Sequence, residues 1–276
     1  MSSDRELDAT RTAEELFSAS FEGDYDDDVA WEAVHTLRLR DGDEVYQLAV
    51  AYARSEMPIH RARALDVLAQ LGVRAPLSEH PHFDESVAIA MAHLTDTNPL
   101  VVHSAAWAVA HLGGEVATSA LVGLRDHIDA GVRLAVAFAM ARSERPDAIR
   151  TLMNLMEDDD DEVRNWATFG LGNAGAIAGP PVRVGTLDSI EIRDSLRKRL
   201  SDSFADVRDE AIWGLALRRE PAALRLLLDR LDSTEWVKGD EMAAAEVLGL
   251  DYKASVEALR TGLRNLLREQ QCADPV

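Results

Sequence analysis

The sequence predicts an all-α protein built as an α–α superhelix, a solenoid of about seven helical hairpins. Three observations predict it: a composition that favours helix over sheet, apolar residues spaced three and four apart through most of the chain, and a short pattern that recurs about every 31 residues.

Hydrophobic residues make up 47% of the 276, enough for a continuous core, while aromatics are only 5% and Ala, Leu, Arg, Asp and Glu dominate. Lys and Arg number 29 against 49 Asp and Glu, a formal charge of −20. That charge opposes approach to nucleic-acid phosphates or anionic lipid and favours a basic or neutral protein as partner. Cys272 is the one cysteine, so neither an internal disulfide nor a thiolate metal cluster can form, which fits a reducing cytoplasm. The opening MSSDRELDATR leads into no apolar stretch, and no run of 18 apolar residues occurs, so neither a signal peptide nor a membrane span is expected.

The repeat is clearest in DEVRNWATFGLGNAG, Asp161 to Gly175, where Val163 and Arg164 are followed by Ala167, Leu171 and Gly175. ADVRDEAIWGLA (Val207, Arg208, Ala211, Leu215) and AGVRLAVAFAMA (Val132, Arg133, Val136, Met140) repeat it. Weaker copies place Val101, Ala105, Val109 and Gly113 in register, then His60, Arg61, Ala64, Leu68 and Gly72, then Val29, Ala33 and Leu37. A degenerate last copy starts near Val237 and ends in Gly249. The seven anchors lie 31, 41, 31, 31, 44 and 30 residues apart. The two long intervals contain GVRAPLSEHPHFDE, around Arg74 to Glu85, and NAGAIAGPPVRVGTLD, around Asn173 to Asp188, both read as inserted loops.

A second amphipathic helix fills each interval, in SVAIAMAHL, ATSALVGLRDH, PDAIRTLMNLM, IEIRDSLRKRL, PAALRLLLDRL and ASVEALRTGLRNLL. Pro146 and Pro221 suit a first helical turn, and Asp158 to Asp161 or Asp206 can cap the helix at each Val-Arg pair. Such a hairpin cannot bury both apolar faces alone, so successive hairpins must stack. The expected organisation is an acidic capping segment at 1–28, an array at 29–270 forming a single domain, and a flexible tail at 271–276. The capping segment holds ten acids against Arg5 and Arg11; its helix AEELFSAS closes the array and its EGDYDDD run forms a solvated loop.

The pattern VRxxAxxxLGxxG resembles the bacterial HEAT-like, armadillo-like repeats of phycobilisome lyases, across nearly the whole chain. From Gly131 to Leu250, with DDEVRNWATFGLG and ADVRDEAIWGLALRREP, the sequence further resembles bacterial HEAT-repeat proteins associated with immunity to Rhs-type toxins. The resemblance implies that Arg61, Arg133, Arg164 and Arg208 are structural, each pairing with an acidic residue of a neighbouring loop; Val102 breaks this in the third copy.

With each anchor as zero, positions +1, +4, +5, +8 and +12 face the core, and +2, +6, +9, +10 and +13 line the inner, concave surface. Position +6 reads His35, Asp66, Trp107, Phe138, Phe169, Trp213 and Ala243, so four successive copies carry an aromatic, out of 11 Phe and Trp in the chain. On an open face Trp107, Phe138, Phe169 and Trp213 are binding anchors. If neighbouring hairpins tilt, the same residues form a core ladder instead. Positions +2 and +3 add Trp31, Glu32, His103, Asn165, Trp166, Asp209 and Glu210, which makes the face mixed apolar and acidic.

No catalytic constellation, metal site or cofactor is expected. The SEHPHFDE cluster of His80, His82, Asp84 and Glu85 reads as a surface loop, and the glycines between Gly170 and Gly179 follow a helix and lack a Lys-Ser/Thr pair. The expected function is therefore a monomeric, non-enzymatic protein-binding scaffold, with toxin neutralisation implied by the second resemblance. A chromophore-lyase subunit, an alkyl-base DNA glycosylase and an adaptor bridging two proteins are the other roles considered; the charge opposes the glycosylase.

Overall fold

Fifteen α-helices and no strand occur among the residues described by the computed structural model, which are 11–40, 42–71, 82–113, 115–141, 143–172, 188–233 and 236–273. In chain order they are α1 (Ala13–Ser20), α2 (Asp28–Leu39), α3 (Asp43–Tyr52), α4 (Pro58–Leu68), α5 (Phe83–Ala92), α6 (Pro99–Leu112), α7 (Glu115–Val122) and α8 (Ala130–Met140). There follow α9 (Pro146–Leu155), α10 (Asp161–Gly172), α11 (Ile190–Arg199), α12 (Ala205–Leu217), α13 (Pro221–Asp232), α14 (Lys238–Leu248) and α15 (Val256–Ala273). The predicted second helices are α2, α4, α6, α8, α10, α12 and α14, and the all-α hairpin reading is borne out.

The chain divides into two compact units, Met1–Ala139 and Met140–Val276. In the first, α2, α4 and α6 pack in chain order, with α1, α3, α5 and α7 joining them from the other layer. In the second, α10, α12 and α14 do the same, against α9, α11, α13 and α15. Each unit is thus a row of hairpins touching its sequence neighbours, as repeat stacking requires. Leu16, Phe17, Val34, Leu37, Val67 and Leu68 are buried at the start of the first row, so α1 covers the end of the array. Val101, Val132, Val163 and Val207 are fully buried. Val29 and Val237 are 64% and 47% exposed: Val29 is the second residue of α2 and Val237 the N-cap of α14, ahead of the buried third position that Val101, Val132, Val163 and Val207 occupy in their helices.

Local chemistry explains the boundaries. Pro146 and Pro221 open α9 and α13, where a missing N–H costs nothing. Asp160 caps α10 by accepting from the backbone N–H groups of Glu162 and Val163. Asp206 does not cap α12: the helix begins at Ala205 with Phe204 as its N-cap, which puts Asp206 inside the first turn. The left-handed φ of 65° at Gly249 ends α14. Within the second unit a Cβ on Gly214 would lie 2.6 Å from the Cα of Gly172, so α10 and α12 meet backbone to backbone where two glycines face each other. His82 is the N-cap of α5 and Phe83 to Glu85 form its first turn instead of the expected loop; residues 72–81 of that loop, most of Asn173–Asp188, residues 1–10 and the extreme C-terminus lie outside the described residues.

Candidate functional site: the faces of the second helices

The Val-Arg arginines all make the same local contacts. Through Nη1, Arg61 donates to the carbonyls of Ser55 and Glu56, Arg133 to His127 and Ile128, Arg164 to Asp158 and Asp159, and Arg208 to Asp202 and Ser203. Each thus ties down the turn five and six residues before it. Arg61 adds a bidentate pair with Asp96 (2.9 Å for both bonds), and Arg164 one with Asp202 (3.0 Å for both).

The hydrogen bonds from Arg61 hold the Asp96 carboxyl below its ordinary range. At Asp202 burial pushes the other way, but the bonds from Arg164 and the backbone of Phe204 prevail and the pKa is lowered. A depressed folded-state pKa gives stability that is complete above about pH 4 and is lost as pH falls through the depressed value. Asp202→Asn is therefore expected to cost about 2 kcal/mol at pH 7. Denaturant unfolding of both proteins between pH 7 and pH 2 should show that difference shrinking below about pH 4; a constant gap would contradict the assignment.

In the first unit Trp107, His111 and Phe138 form a partly buried cluster, with ring centroids 5.5 Å apart for Trp107–Phe138 and 5.1 Å for His111–Phe138. His103 packs over Gly131 on α8 and lies 3.5 Å from Asp129. Beside them Tyr25, Asp26, Trp31, Arg38, Asp66 and Ala69 join His103, Trp107 and His111 around a cavity of about 260 Å³. Its floor is polar and tightly bonded. The Tyr25 hydroxyl donates to the Asp66 carboxylate at 3.0 Å, which leaves the Ser104 hydroxyl to donate to Tyr25 Oη at 2.8 Å. The fully buried Arg63 bonds the carbonyls of Ser20 and Tyr25, pairs with Asp66 at 3.4 Å, and lies 4.3 Å over the Tyr25 ring. Arg38 donates through Nε to the Asp66 carbonyl.

Burial raises the Asp66 carboxyl above its usual range, although Arg63 and Arg38 pull it back. The Tyr25 phenol is raised by burial and by the Asp66 charge, and the Arg38 guanidinium is lowered by burial. Sequence reasoning placed Asp66 and Trp31 on this face but missed Tyr25, Arg38, Arg63 and Ser104. Tyr25 lies within the acidic run read as a solvated loop, and its side chain is anchored against α4 and α6.

In the second unit Phe169 and Trp166 meet edge to face at 5.6 Å, and both are partly buried. Asn165 Oδ1 is buried without a hydrogen-bond partner among the described residues. The Trp213 indole donates to the buried Asp240 at 3.0 Å, and its ring lies where a Cβ on Gly239 would fall. Arg230 bridges Asp240 and Asp209, so the Asp209 charge is neutralised within the unit. Cys272 is exposed in the last turn of α15. No described helix is long and apolar enough to cross a membrane.

Comparison with known proteins places these faces in a setting. A stretch of 118 residues, 43% of this chain, is 35% identical to protein YibA of Escherichia coli K12 and spans 38% of that relative's length. The X-ray structure of E. coli YibA superposes with a TM-score of 0.69 and 24% identity, covering 97% of both chains. The fold is that of HEAT-like, armadillo-like helical repeats. A designed armadillo repeat protein in complex with the peptide (KR)4 has a TM-score of 0.50 at 17% identity, covering 75% of this chain and 99% of that one. The complex of CpcE and CpcF, the phycocyanin lyase of Nostoc sp. PCC7120, also has a TM-score of 0.50 at 17% identity, covering 94% of this chain and 95% of that one. No family model matches the chain.

Proposed function

We propose that the chain is a protein-binding scaffold without catalytic activity, that its partner is basic or neutral, and that it meets that partner with the faces of its second helices. The observation that carries this reading is the cluster of Trp107, His111 and Phe138, which gathers three partly exposed rings on the helices of one row. Trp166 and Phe169 offer a second such pair in the other unit. Partly exposed aromatics on a rigid support lose little entropy on binding and act as anchors. A chain charge of −20 steers a basic partner toward them, and the designed armadillo protein bound to (KR)4 is a repeat protein with such a ligand.

The finer reading is neutralisation of a toxin in the cytoplasm by a monomeric chain. It is supported by the resemblance of Gly131 to Leu250 to repeat proteins associated with immunity. The test is co-expression with an Rhs-type toxin. Growth should be rescued by the wild type and lost with Trp107→Ala plus Phe169→Ala, in a protein whose helicity and melting temperature stay close to the wild type. Rescue by the double variant would remove these aromatics from the interface, and failure of the wild type to rescue would remove the toxin. Trp213 is a poorer probe, because deleting it also removes the indole hydrogen bond to Asp240 and opens a cavity at Gly239, a loss of roughly 3–5 kcal/mol.

A further inference from the structure

The cavity of the first unit contains a guanidinium with unused donors. Arg38 spends Nε on the Asp66 carbonyl and makes no other hydrogen bond among the described residues, while its carbon lies 5.6 Å from the Trp31 ring centroid. Both Nη groups therefore remain available on the wall of a space whose other walls are Trp31, Trp107, Tyr25 and two histidines. The remaining charged groups decide the sign of what fits. Asp66 is committed to Tyr25 and Arg63, and Arg63 in turn to Asp66 and two carbonyls, so this pair is closed on itself. Asp26 is exposed at the rim.

We propose that this cavity is a binding site for a carboxylate carried on a flat apolar group, the carboxylate taken by the Nη fork of Arg38 and the apolar group held between Trp31 and Trp107. A planar fork matches two carboxylate oxygens in a way that an ammonium does not. Arg38 puts an unspent guanidinium on the lining, Asp66 is paired with Arg63, and the Asp26 carboxylate stands in solvent at the rim, where it is screened, so an anionic group is favoured at Arg38. The volume of about 260 Å³ sits just under the usual range for drug-sized ligands, roughly 300–1,000 Å³, and suits a single amino-acid-sized group. Such a carboxylate can come from the C-terminal residue of a polypeptide or from a free aromatic acid. The site shares Trp107 and His111 with the surface proposed above but takes its charge from Arg38, so Arg38→Gln tests it without touching those anchors.

The test is NMR titration of the full chain with N-acetylphenylalanine, its amide and benzoate, following the indole N–H signals of Trp31 and Trp107. The acid should shift both signals saturably, and the amide should bind about ten- to a hundredfold more weakly, as loss of charge-assisted hydrogen bonds implies. Tighter binding of N-acetylphenylalanine than of benzoate would point to a chain terminus, and the reverse to a free acid. Arg38→Gln should abolish the preference for acid over amide. Arg38→Lys, which keeps the charge and loses the fork, should weaken the acid about tenfold and serves if the glutamine variant does not fold. Equal binding of acid and amide, unmoved indole signals, or an unchanged preference in both variants would overturn the proposal.

Discussion

Replacing Arg63 with methionine is expected to destabilise the first unit by about 3–5 kcal/mol. Arg63 is fully buried, and its guanidinium joins Ser20, at the end of α1, and Tyr25, in the segment before α2, to Asp66 on α4. Removing it leaves two carbonyls short of a donor and a buried carboxylate short of its counter-charge. The carboxyl, already raised by burial, is then driven further toward its neutral form. The cost should reverse in large part in the double variant Arg63→Met, Asp66→Leu, because deleting a buried pair outright removes the desolvation penalty along with the attraction. Urea unfolding followed by tryptophan fluorescence would measure both. A loss below about 1 kcal/mol for Arg63→Met would show that the network adds nothing to the fold.

Gly214→Ala is the second large effect, and its sign runs against helix propensity. In an exposed helix the change favours folding by about 1 kcal/mol. Here the new methyl would sit 2.6 Å from the Cα of Gly172 and 3.4 Å from a methyl of Leu196, so α10 and α12 must move apart. A backbone-to-backbone contact has no flexible side chain to yield, and the expected loss is about 3 kcal/mol, the upper end for overpacking. Arg218 increases the stake, since its guanidinium bridges the carbonyls of Leu171, Gly172 and Gly214 across the same contact. Thermal melting of the variant would settle the sign; a stabilised Gly214→Ala would mean that α10 and α12 are not in contact there.

The fold was legible because its signal is periodic. Val-Arg recurs at a fixed place in the hairpin since each arginine performs the same task on the turn before it, and Val101, Val132, Val163 and Val207 occupy equivalent core positions. The pattern fails at Val29 and Val237, which stand at the second position and the N-cap of their helices and so fall short of the buried third position. The polar floor of the first-unit cavity was illegible for the opposite reason. Position +3 reads Glu32, Arg63, Ser104, Ala135, Trp166, Glu210 and Asp240, so Arg63 is a singular departure that no repeat template can flag. Tyr25 lies outside the repeats altogether, in a run whose five aspartates and glutamates around it read as solvated. The +6 aromatics were legible as a set but not in their surroundings: Trp107 and Phe138 contact each other, whereas Trp213 is held by Asp240.

Aromatic anchors on an acidic repeat protein should take a basic polypeptide. Fluorescence anisotropy with a labelled (KR)4 peptide, alongside an acidic peptide of equal length, measures this. Saturable binding is expected of the basic peptide alone, weakening with salt as screening shortens the reach of the surface charge, and at least tenfold weaker in Trp107→Ala, Phe169→Ala at unchanged helicity. Equal response to both peptides, or full affinity in the double variant, would contradict it.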